Sequence, residues 1–181
     1  MNCPSCKTNS LRPKKLEYSL PAMACFKCRG CQIDLLNYRM WREGKGNDND
    51  NDELSEPIQD VIDTKHAVLC SKCKSIMMKY KIKEGVENRL DLCGSCGEVW
   101  LDGGEWKLLE QLNFSKLVPE ILSTPWQNSI KKKEISNNIE QNYIDEIGAE
   151  DVEKIKQIRA WLSEHPKSAF VKNMLFREDS F

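Results

Sequence analysis

Cys93-Gly-Ser-Cys-Gly-Glu-Val-Trp-Leu-Asp-Gly-Gly-Glu105 is the stretch on which the fold turns. Two cysteines with two residues between them let both sulfurs of a tight turn face one ion. About twenty residues upstream lies a second pair, Cys70 and Cys73, at the distance a β-hairpin needs to bring the pairs together. The same arrangement occurs earlier in the chain, as Cys3 and Cys6 followed by Cys25 and Cys28. Two complete quartets predict two tetrahedral zinc sites of the closed, structural kind, each holding one Zn²⁺. The fold class expected is α+β: two tandem zinc ribbons followed by a helical C-terminal region.

The quartets are copies. Cys3 to Cys70 is 67 residues and Cys25 to Cys93 is 68, and Ile33-Asp34 falls on Leu101-Asp102. This register makes Cys25 and Cys28 the ligands, although Cys28 and Cys31 also form a pair of the right spacing. Cys31, lying over Val99, is then a small core residue. In the second copy Met78, Tyr80 and Ile82 alternate with Lys79, Lys81 and Lys83; Glu84–Asn88 makes the turn, and Leu90 and Leu92 return on the apolar side. In the first, Leu16, Tyr18 and Leu20 alternate with Lys15, Glu17 and Ser19.

Boundaries follow from composition: ribbon one over 1–42, an acidic flexible linker over 43–64, ribbon two with a capping helix over 65–112, and a helical region over 113–181. Residues 1–42 hold eight Lys/Arg against two acids, and residues 43–60 one Lys against seven acids. Net charge for the whole chain is only −1, which argues against non-specific nucleic-acid binding by the molecule as a whole. Asp102 and Glu105 have the spacing of a capping box, so a helix burying Trp106, Leu109 and Leu112 is expected. A short helix is expected over 115–122, loose order over the polar stretch 127–142, a helix from Ala149 to a stop at His165-Pro166, and a last helix with Phe170, Val171, Met174 and Leu175 on one face.

The second copy resembles the transcription-factor-IIB-type zinc-ribbon family. The residues that carry the resemblance are the second cysteine pair followed by Trp100, Leu101, Asp102 and Glu105, over roughly 68–112. The first copy is similar but diverged, with Gln32 where the family has its aromatic and Asn37 where it has Glu. The resemblance implies a zinc-stabilised β module, by analogy with transcription and nucleic-acid factors, and does not imply promoter recognition.

Catalysis is not expected, because a four-thiolate site leaves no open position for substrate. The expected role is a scaffold for macromolecular recognition, with a protein partner and a link to transcription. Direct nucleic-acid binding is the alternative, through Lys14, Lys15, Lys27 and Arg29 of the first ribbon and Lys79, Lys81, Lys83 and Arg89 of the second. No small-molecule substrate is evident. No run approaches the length of a membrane span and no apolar segment precedes Cys3, so no membrane association is expected. Nine cysteines without a disulfide pattern suit the reducing cytoplasm.

Overall fold

The structure is a computed structural model that describes residues 1–7, 10–44 and 63–177. Most of the expected acidic linker lies outside the described residues. The chain divides into two compact units, Met1–Lys131 and Lys132–Phe181.

Unit one is built on a single six-stranded antiparallel sheet. Its strands are β1 (Arg12–Lys15), β2 (Pro21–Ala24), β3 (Cys31–Asp34), β4 (Met78–Lys81), β5 (Arg89–Leu92) and β6 (Glu98–Leu101), in the order β1-β2-β3-β6-β5-β4. Each half contributes a three-stranded meander rather than the two-stranded hairpin its alternation suggested. The halves join along β3 and β6, with Cys31 opposite Leu101, Gln32 opposite Trp100 and Ile33 opposite Val99.

Gln32 and Trp100 are 68 residues apart, the repeat offset of the second cysteine pairs. At the centre of the seam one repeat position therefore faces itself, and on either side Cys31 and Ile33 each face the repeat equivalent of the other. A local two-fold passes between Gln32 and Trp100, so the repeat meets itself as an isologous dimer does, within one chain. Fusing the halves removes two exposed sheet edges. Three strands with one covered face are near the lower limit of independent stability, and six give one continuous core.

One face of the sheet carries Ala22, Ala24, Cys31, Ile33, Leu90, Val99 and Leu101. Helices α1 (Leu35–Gly44), α2 (Glu105–Gln111) and α3 (Val118–Ile121) supply Tyr38, Trp106, Leu109, Val118 and Ile121 to the same core. Tyr38 is fully buried and keeps its hydroxyl satisfied by donating to the Ser115 carbonyl at 2.7 Å. Pro119 sits in the first turn of α3, where its missing N–H costs nothing. Leu16–Leu20 does not extend the strand, because residues Glu17–Ser19 form a 3₁₀ turn.

Helix α4 (Thr124–Ile147) runs through the stretch expected to be loosely ordered. Its first turns belong to unit one. Unit two holds the rest of α4 together with α5 (Ala149–Glu164) and α6 (Ser168–Leu175). Gly148, at φ 84°, makes the break between α4 and α5. Val152 and Leu162 of α5 are buried, Ile155 and Ile158 are exposed, and α6 buries none of its apolar residues. No helix among the described residues is long and apolar enough to cross a membrane.

Candidate metal centres

All four cysteine pairs adopt the same turn. The residue after each second cysteine has positive φ: Lys7 at 60°, Arg29 at 62°, Lys74 at 66° and Gly97 at 73°. Its N–H donates to the carbonyl of the first cysteine, at 2.8 Å for Lys7 and Arg29, 3.0 Å for Lys74 and 2.9 Å for Gly97. Three of these positions carry a side chain in a conformation that favours glycine, a cost accepted three times for the same geometry. The turn also aims backbone N–H groups at sulfur, as Cys6 N does at Cys3 Sγ at 3.2 Å.

The turns bring the expected ligands together in two groups, Cys3, Cys6, Cys25 and Cys28, and Cys70, Cys73, Cys93 and Cys96. In the first, Cys3–Cys28 and Cys6–Cys25 sulfurs are 3.6 and 4.0 Å apart. In the second, Cys73–Cys93 and Cys93–Cys96 are at 3.4 Å, and Cys70–Cys96 and Cys73–Cys96 at 3.6 Å. A tetrahedron of sulfurs at the Zn–S bond length has edges of about 3.8 Å. All nine cysteines are free thiols. The donor set and spacing fit a metal ion in each group.

The thiols within a group differ without an ion. Burial raises the Cys25 thiol, but the N–H groups of Cys28 and Lys27 outweigh it and bring the group down to about 7. Cys73 falls to about 6 under hydrogen bonds from the Ser75 side chain and backbone. Burial pushes Cys3 up to about 11 and Cys96 to about 12. Four thiolates cannot ionise side by side without a cation, so metal binding here is coupled to proton release. Cys31 stands apart in the helix-side core, its thiol raised to about 12 by burial.

Each centre is braced by the opposite half of the repeat. Ser5, inside the first turn of quartet one, donates to Asp102 Oδ1 at 2.8 Å and accepts from Trp100 Nε1 at 3.0 Å. Ser71, inside the first turn of quartet two, bonds to Gln32. The Gly97 carbonyl accepts from Leu35 N at 3.1 Å, tying a quartet-two turn to the start of α1. Trp100 is fully buried in a small apolar cluster that includes Cys3, Cys25, Cys70 and Cys93.

The capping box forms only in part. Glu105 accepts from Asp102 N at 2.8 Å as expected, but Gly104, at φ 93°, is the N-cap of α2. The Asp102 carboxylate is used elsewhere: by Trp100 Nε1 at 2.8 Å, by Ser5, and by Thr64 N at 2.6 Å. The first copy behaves in the opposite way, with Asp34 capping α1 through Asn37 N at 2.9 Å. Asp63 joins Asp102 and Glu105 in a third group, an acidic one, of which the sequence reading singled out only the last two. Burial raises Glu105 well above the ordinary carboxylate range.

The basic residues do not form one surface. Lys14, Lys15, Lys27 and Arg29 are exposed, while the Arg12 guanidinium lies 5.9 Å from the centroid of the Phe26 ring, itself 69% exposed. Lys79 instead pairs with Asp91 at 3.0 Å, the two side chains being 16% and 1% exposed. Lys81 has its backbone N–H and carbonyl held by Gln127, at 3.1 and 2.9 Å. Lys83 is exposed and Arg89 half-buried. A groove of about 570 Å³ near β1 has Lys14 and Lys15 as well as Asp34 and Glu98 in its lining, so neither charge dominates it.

No family model, curated protein or solved structure matches this chain.

Proposed function

We propose that the chain is a non-catalytic zinc protein in which two zinc ribbons, fused through their sheets, act as a scaffold for recognising a protein partner. The observation that supports this most directly is the paired set of four-sulfur centres. Four thiolates complete the coordination of Zn²⁺ and leave no site for substrate, so the metal's contribution is folding energy. Reduced thiols fit a cytoplasmic protein.

The recognition element in this reading is the helical unit. Trp161, Phe170, Met174, Leu175 and Phe176 are all exposed there. Large apolar side chains left open to this extent are characteristic of contact surfaces.

Nucleic-acid binding is the second reading, favoured by Arg12 stacked near exposed Phe26 beside Lys14, Lys15 and Lys27. The pairing of Lys79 with Asp91 weighs against the wider basic stripe. A capture experiment with zinc-loaded chain as bait, with and without nuclease, separates the two. The protein reading expects a retained protein, insensitive to nuclease and lost with Phe170→Glu. Capture that depends on nucleic acid and is lost with Arg12→Ala/Phe26→Ala overturns it.

A further inference from the structure

Helix α4 has two differently used sides within the helical unit. On one, Glu140 accepts an ion pair from Lys156 of α5 at 2.7 Å and Ile144 is half-buried. The other carries Ile135, Ile139 and Tyr143, which are 49%, 46% and 56% exposed. Spacing of four residues places these three in one ridge along the helix. Both ends of that ridge are charged. Lys132 lies seven residues before Ile139 and Glu146 seven after it, about two turns either way and so on the same side. Neither has an ion-pair partner among the described residues.

We propose that this face of α4 pairs antiparallel with the same face of a second copy of the chain. The argument is one of charge complementarity. Antiparallel pairing about Ile139 sets Ile139 against its equivalent, Ile135 against Tyr143, and Lys132 against Glu146, with each charge pair occurring twice. A parallel arrangement would set Lys132 against Lys132 and Glu146 against Glu146, which is repulsive at both ends. Ridges of this spacing pack at a crossing angle of about −50°, so the apolar side chains meet closely only at the centre and the long Lys132 and Glu146 side chains span the wider gap at the ends. The buried area is then small and the dimer weak, with a dissociation constant of about micromolar order. This rests on the reading of the helical unit as a recognition element and names its partner.

Sedimentation equilibrium of the full zinc-loaded chain tests it. A concentration-dependent dimer is expected, weakened at least about tenfold by Ile139→Glu. Lys132→Glu and Glu146→Lys should each weaken it, and the double reversal Lys132→Glu/Glu146→Lys should restore it. Unchanged helical circular dichroism in each variant confirms that folding is intact, since all these side chains are solvent-exposed. A monomer at every concentration overturns the proposal, as does a dimer indifferent to Ile139→Glu or a double reversal no better than the single ones. A monomer that still captures a protein through Phe170 overturns self-pairing alone. Loss of that capture as well removes the recognition reading.

Discussion

Gly30 shows how one residue admits the seam between the halves. A Cβ there would overlap Trp100 Cζ2 and lie 2.9 Å from Cη2 and 3.0 Å from the Leu101 carbonyl oxygen. Its repeat equivalent, 68 residues on, is Glu98, whose side chain is held by Lys72 at 2.9 Å. An indole at position 32 would need that place to be empty, as Trp100 needs Gly30. Gln32 leaves it occupied, so the departure from the repeat is what a two-fold seam with one indole requires. Gly30→Ala should destabilise unit one by about 2 kcal/mol, measured by thermal unfolding of the metal-loaded chain. Lys79 and Asp91 carry a second prediction. Burial, partly offset by Lys79, raises Asp91 from 3.8 to about 6. Its folded form therefore holds a proton more tightly than its unfolded form, and this contribution to stability declines as pH rises from about 4 to 6. Lys79→Met leaves the buried carboxylate unpaired and should cost about 3 kcal/mol at pH 7. The deficit relative to wild type should shrink towards pH 5 as Asp91 takes up a proton. A pH-independent difference would contradict this.

At the scale of elements, what the sequence made legible was local. The cysteine spacing picked out all eight cysteines that the structure gathers into two groups, and the apolar alternation gave β4, β5 and the turn at Gly85. Helix α2 was legible from Asp102 and Glu105, though its cap is Gly104 because Asp102 is drawn to Trp100, Ser5 and Thr64. Residues 127–142 were not legible as helix. Their apolar residues, Ile130, Ile135 and Ile139, are spaced by five and four among polar side chains and do not mark a single buried stripe. Gln127 had no sequence signal, yet its side-chain amide takes the place of a neighbouring strand along β4. It accepts from Lys81 N and donates to the carbonyls of Lys81 and Ile121, the latter at 2.8 Å. Gln127→Ala should cost about 2 kcal/mol and speed hydrogen exchange at Lys81 and Ile82. Unaltered exchange there would show that the clasp contributes nothing.

At the scale of unit one, the repeat was visible in the sequence but its consequence was not. Two similar halves separated by a polar linker are most simply read as beads on a string. Nothing in the spacing of cysteines says that β3 and β6 will pair. That pairing depends on residues whose effect is only seen across the seam: Gly30, Gln32, Ser5 and Ser71. Because each centre is braced by the opposite half, the centres should not fail independently. Cys96→Ser should lower the affinity of the intact first quartet for metal, measured by chelator competition, as well as disrupt the second. Unchanged affinity at the first quartet would show that the halves are coupled in geometry only.

The central claim is that two tetrathiolate zinc ions hold this sheet together. Native mass spectrometry of the chain purified under reducing conditions, with circular dichroism followed during chelation, tests it most directly. The account predicts two zinc ions per chain and loss of the sheet as they are withdrawn. A chain that carries one ion or none, or that keeps its sheet after complete removal of metal, would contradict it.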